Sequence, residues 1–130
     1  MPKLTILNTG ETIEISSDET ILRQLVERRM PIRHNCKGRA RCATCRCRVV
    51  SGLEHFSAPN EFERFVLALK EVKEPEIRLA CQNKICGDAA IEFVNELPFE
   101  ERPWEKDGTY QLPHWSDEEI GHPDMKLKGE

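Results

Sequence analysis

Six cysteines punctuate a chain of 130 residues, and four of them have a spacing that suits metal chemistry. Cys36, Cys42 and Cys45 are separated by five and two residues, and Cys81 follows 35 residues later, giving C-x5-C-x2-C-x35-C. Two irons bridged by two sulfides need four thiolates, two per iron, and a tight loop can supply three while a separate segment closes the site. The spacing therefore predicts one [2Fe-2S] cluster on Cys36, Cys42, Cys45 and Cys81. A loop that wraps such a group must bring backbone N–H groups close to sulfur, and Gly38, Ala40 and Ala43 put little side chain in the way. By proximity, Arg41, Ala43 and Thr44 are the expected donors.

Other chemistries fit less well. A zinc ribbon would pair Cys42-x2-Cys45 with Cys81-x4-Cys86, leaving Cys36 and the small-residue loop without a purpose. A Rieske centre needs two histidines paired with two cysteines, and no Cys-x-His occurs. A nucleophilic cysteine needs an adjacent base, which spacing does not supply. The two spare cysteines read as free thiols: Cys47 as a small buried side chain on the same side as Cys45, and Cys86 as half-buried after a short strand. His34, His55, His114 and His122 show no ligand spacing among themselves.

The elements that must position the cysteines follow from periodicity. Leu4, Ile6, Ile13 and Ile15 alternate on either side of Asn8-Thr9-Gly10 and predict an N-terminal hairpin. Ser16 and Glu19 have capping-box spacing ahead of Ile21, Leu22, Leu25 and Val26, which predicts a helix ending before Pro31. Periodicity is lost from Asn35 to Arg46, and Val49-Val50 resume a strand ending at Gly52. Phe62, Phe65, Val66 and Leu69 predict a second helix, and Ile77 to Ala80 and Ala89 to Val94 two more strands.

Charge divides the chain. Residues 1–95 carry 15 basic and 13 acidic side chains, and residues 96–130 carry 4 and 10. With four prolines and no sustained period, residues 96–130 are expected to be an extension of a domain spanning 1–95. Trp104, Tyr110 and Trp115 give part of that extension a reason to pack against the domain. Lys37, Arg39, Arg41, Arg46 and Arg48 form a basic collar around the cysteine loop, over which the acidic extension is available to fold. The near-neutral domain, without interleaved aromatic platforms, argues against nucleic-acid binding. No stretch approaches the roughly 18 apolar residues of a membrane span. The amino terminus lacks a secretory pattern, so cytoplasmic residence is expected, where thiols stay reduced and available as ligands.

The segment from Cys36 to Arg46 resembles the cluster loop of [2Fe-2S] ferredoxins, and Arg78-Leu79-Ala80-Cys81-Gln82 resembles their fourth-ligand segment. The five-residue first gap is similar to adrenodoxin-type and related bacterial ferredoxins, and the basic loop also resembles ferredoxin domains of bacterial adenylyl cyclases. The resemblance covers about residues 3–95 and implies an α+β, β-grasp (ubiquitin-like) fold with an acidic C-terminal extension. It further implies a one-electron carrier, not an enzyme, shuttling between a reductase and an acceptor enzyme. Adrenodoxin-like proteins dock through acidic surfaces, whereas here Glu61, Glu63, Glu71 and Glu74 are diluted by Arg64, Lys70 and Lys73, so a partner with an acidic docking face is expected. A redox-sensing interaction protein is the alternative.

Overall fold

The computed structural model describes residues 1–116 and 118–121. The readings of His122 and Pro123 therefore lie outside the described residues. Eight elements follow in chain order: β1 (Lys3–Ile6), β2 (Glu11–Glu14), α1 (Ile21–Glu27), β3 (Arg46–Ser51), α2 (Glu61–Leu69), β4 (Ile77–Leu79), β5 (Ala89–Phe93) and α3 (Pro103–Lys106).

The strands form one mixed sheet in the order β2-β1-β5-β3-β4. β1 and β5 run parallel at its centre, with Leu4 opposite Ala89 and Ile6 opposite Ile91. The remaining neighbours are antiparallel. Alternation sends Leu4 and Ile6 of β1, Cys47 and Val49 of β3, and Ile91 and Phe93 of β5 to one face. α1 covers that face with Ile21, Leu22, Leu25 and Val26, all at most 1% exposed. This is the α+β β-grasp arrangement expected from the cysteine-loop resemblance, and every predicted strand and helix is present.

The start of α1 differs from expectation. Its N-cap is Thr20, whose hydroxyl accepts from Arg23 N–H, while Ser16 and Glu19 satisfy Asp18 N–H and Thr20 N–H within the preceding turn. Capping-box spacing does occur, but a threonine immediately before the first apolar residue lies nearer the orphan donors. The N–H of Ile21 donates to Asn83 O at 2.9 Å, which ties the head of α1 to the segment just beyond Cys81.

β3 and β5 are joined through a bulge between Val49 and Ser51, and β3 ends at Gly52, φ +82°. A Cβ at Gly52 would collide with Asp88 O, so this crossing requires glycine for both conformation and space.

The chain beyond β5 packs in part, as its aromatic residues predict. Leu97, Trp104 and Leu112 are buried, and Trp104 and Tyr110 sit ring to ring at 6.4 Å. Among the described residues no helix is long and apolar enough to cross a membrane.

Candidate metal centre

The cysteine loop is clamped at both ends. Before it, Arg33 N–H donates to Asn95 O at 3.1 Å and Leu97 N–H to Pro31 O at 2.8 Å. After it, β3 enters the sheet at Arg46. Between these anchors the backbone turns through left-handed conformations at Lys37 (φ +57°), Gly38 (+97°), Ala40 (+58°) and Ala43 (+57°). Three of the four are not glycine, and each such residue costs about 1 kcal/mol or more, strain of the kind that collects at ligand clamps.

The four predicted cysteines come together as two pairs. Cys36 N–H points at Cys42 Sγ at 3.3 Å, and the two thiols are close enough to shift one another's pKa. Ala80 N–H donates to Cys45 O at 3.2 Å, which sets Cys81 beside Cys45, and the Cys81 thiol likewise raises the pKa of Cys45. Among the described residues no three Cys, His, Asp or Glu side chains are grouped for a single metal ion. Two thiols at each of two neighbouring points is instead the division that two irons with two thiolates apiece require, so the donor set fits a [2Fe-2S] cluster.

Donors surround the sulfurs. Arg41 N–H reaches Cys36 Sγ at 3.5 Å. Thr44 Oγ1 accepts from Asn35 N–H at 2.8 Å, which leaves its proton for Cys42 Sγ at 3.0 Å. Gln82 Nε2 approaches Cys81 Sγ at 3.5 Å and is held by Asn60, the N-cap of α2, through a 2.9 Å bond. Of the three expected donors, Arg41 and Thr44 serve sulfur, and Ala43 contributes backbone shape instead. The Cys42 thiol and the Arg41 and Gly38 N–H groups pull the Cys36 thiol well below its ordinary pKa. Burial pushes the spare Cys47 up, as does the neighbouring Cys81. The partner thiols and burial raise Cys42 and Cys45 as well, and Cys47 is 2% exposed, as expected, with Sγ 3.6 Å from Cys45 O. Cys86 is exposed rather than half-buried, because Ile85 takes the inward position through its bridge to Phe56.

One structural group went unrecognised in the sequence. Glu63, read there as a surface acid, is 1% exposed. Its carboxylate accepts from Arg78 Nε and Nη2, both at 3.0 Å, from Leu79 N–H at 2.8 Å and from Asn83 Nδ2 at 2.8 Å. Asn83 in turn donates to Leu79 O at 2.7 Å. The network fastens the turn bearing Cys81 to α2. Its only sequence signal is the apolar setting of Glu63, one residue after Phe62 and two before Phe65.

The collar divides. Arg46 and Arg48 project from the outer face of β3, where Arg48 pairs with Glu76 at 3.3 Å, while Lys37, Arg39 and Arg41 stay on the loop. His34 is buried, with Nδ1 2.8 Å from Ile32 O and Nε2 2.8 Å from Tyr110 Oη, and burial lowers its pKa. His55 bonds Asp88 O at 2.7 Å, so both rings are engaged in hydrogen bonds that serve the fold.

A grasp fold with two thiol pairs at one end of the sheet defines an iron–sulfur protein. Residues 4–86 match the family model of the 2Fe-2S iron-sulfur cluster binding domain. The chain is 33% identical over 104 residues to the 2Fe-2S ferredoxin of Escherichia coli strain K12, covering 75% of this chain and 91% of the relative. The solved ISC-like [2Fe-2S] ferredoxin FdxB of Pseudomonas putida superimposes with a TM-score of 0.62 at 25% identity, covering 89% of this chain and all of that one. A component of the Na(+)-translocating NADH-quinone reductase of Chlamydia pneumoniae is 32% identical over 79% of this chain, which spans 23% of that protein. The chain belongs to the [2Fe-2S] ferredoxin family. It carries one [2Fe-2S] cluster and is an electron carrier.

Proposed function

We propose that the protein shuttles single electrons between a reductase and an acceptor enzyme, with Cys36 and Cys42 on one iron and Cys45 and Cys81 on the other. The placement of Cys36 beside Cys42 and of Cys81 beside Cys45 is the observation that carries this reading. When bound, the cluster supplies a reversible one-electron couple with all four thiolates retained. The chain's residues do the rest: Arg41 N–H, Thr44 and Gln82 aim donors at sulfur, which favours the more negative reduced form, and the arginines around the loop act in the same direction. Cys42 is the partly exposed member of the ligand set, so the Cys36–Cys42 side is the end through which partners exchange electrons.

A reductase as donor is supported by the homologous segment within a component of an NADH-quinone reductase. We read residues 1–95 as the ferredoxin domain, residues 96–130 as its extension, and the cytoplasm as its compartment. The test is a reconstituted chain: a flavoprotein reductase, NADPH or NADH, the holo-protein and cytochrome c as final acceptor. Cytochrome c reduction that rises with holo-protein supports the carrier. A cluster that cycles without passing electrons, yet changes a binding partner on oxidation, would favour the sensor. The contact of the C-terminal segment with the cluster loop, Trp115 Nε1 on Lys37 O at 2.7 Å, is the observation that favours that second reading.

A further inference from the structure

Part of the C-terminal extension lies across α1 and the cysteine loop, and it is gripped mainly by its backbone. Three guanidinium groups each fork onto two main-chain carbonyls. Arg29 holds Gly108 O at 3.1 Å and Tyr110 O at 2.8 Å. Arg23 holds Leu112 O and Pro113 O, both at 3.1 Å, and Arg41 holds Glu119 O and Gly121 O, both at 2.8 Å. The loop's own main chain joins in, with Lys37 O accepting from Trp115 and Arg39 O from Gly121 N–H at 2.7 Å. Arg39 stacks over the Trp115 ring at 4.5 Å.

The grip on this strap, residues 108–116 and 118–121, is made through hydrogen bonds to carbonyl oxygens, with Asp107 close enough to feel Arg29, and Glu119 to feel Arg39 and Arg41, without pairing with them. Carbonyl oxygens are neutral, so among the described residues Arg29, Arg39 and Arg41 have no carboxylate within ion-pair distance, and only Arg23 has one, Glu19 at 3.7 Å. Glu119 lies on the strap itself, yet its carboxylate turns to Ser116 N–H and Oγ instead. Open clefts of about 420 and 320 Å³ run beside the strap, the first bordered by Arg23 and Arg29 together with Glu19 and Glu27, and the second by Arg23, Lys37 and Cys81 together with Glu19. A carboxylate-bearing segment in the same place would add ion pairing and bidentate geometry to hydrogen bonds that are already charge-assisted on the arginine side.

We propose that Arg23, Arg29, Arg39 and Arg41 form a docking site for an extended acidic segment of a partner protein, and that residues 108–116 and 118–121 occupy it in the free chain as a displaceable stand-in. The proposal rests on the electron-carrier reading only in naming the partner a redox partner. It places docking beside Cys36 and Cys81, and it makes release of the strap the event that opens the basic face.

Amide hydrogen exchange on the holo-protein at low salt tests this, with hexaglutamate as the probe and hexaglutamine as its neutral counterpart. Saturating hexaglutamate is expected to speed exchange at Glu119 and Gly121 by about tenfold while leaving β1 and β5 unchanged, and hexaglutamine is expected to do nothing. The R29Q/R41Q variant is expected to exchange faster in the strap without peptide and to lose the response. Unchanged strap exchange at saturation, equal release by hexaglutamine, or release by oligothymidylate but not hexaglutamate would overturn the proposal. Dithionite reduction of the cluster is read separately, so failure of docking leaves the carrier reading standing.

Discussion

Glu63 and Arg78 meet side-on between α2 and β4, and the same Glu63 carboxylate takes the N–H of Leu79, two residues before Cys81. Both side chains are buried. Removing the charge of one leaves the other unpaired in a low-dielectric setting, so Glu63→Gln is expected to cost about 3–5 kcal/mol of unfolding free energy. Urea unfolding of the holo-protein checks this, and loss of visible absorbance should accelerate in step. A cost under about 1 kcal/mol would mean that the pair behaves as an exposed one.

The two cysteines at either end of Cys81-Gln82-Asn83-Lys84-Ile85-Cys86 should respond oppositely. Cys81 is buried beside Cys45, whereas Cys86 is exposed. Cys81→Ser is expected to abolish or destabilise the cluster, and Cys86→Ser to keep about two irons per chain. Iron and sulfide assays on the purified variants decide it, and equal loss in both would overturn the ligand assignment.

Gly52→Ala tests the crossing between β3 and β5. The added methyl must fit a left-handed backbone and clear Asp88 O and Ala89. Strain of this type costs on the order of 1–3 kcal/mol, with the close approach adding to it. Thermal unfolding should show a lower midpoint. Gly108→Ala, with nothing near its Cβ position, is the matched control and should leave the midpoint nearly unchanged.

Tyr110 is the single tyrosine, so tyrosinate absorbance reports it alone. Burial raises its pKa above the ordinary 10.0. Between pH 10 and the raised folded value, the unfolded chain has lost the phenolic proton while the folded chain keeps it. This contribution to stability is complete below pH 10 and is lost as pH rises through the folded value. A difference titration should place the folded midpoint above that of the denatured chain; coincident midpoints would mean that the extension does not pack around Tyr110.

The order of strands and helices was legible because each element carries its own periodicity, as Leu4 with Ile6 and Phe62 with Val66 show. The cysteine set was legible because ligand count and spacing are local properties of the chain. Glu63 was not, since a carboxylate buried against an arginine 15 residues away looks like any other surface acid on a helix. The grip of Arg23 and Arg29 on the strap was hidden for a similar reason: backbone carbonyls accept hydrogen bonds whatever the sequence. Among the described residues the extension reaches the collar through main-chain atoms and Trp115, with no ion pair from its acids to Lys37, Arg39 or Arg41.

The cluster itself is read out by visible and EPR spectra of the purified protein before and after dithionite. A coloured protein is expected that is EPR-silent when oxidised, gives a signal of about one spin per chain when reduced, and recovers on reoxidation. A colourless, zinc-containing protein that is EPR-silent in both states would contradict the assignment of a [2Fe-2S] cluster to Cys36, Cys42, Cys45 and Cys81.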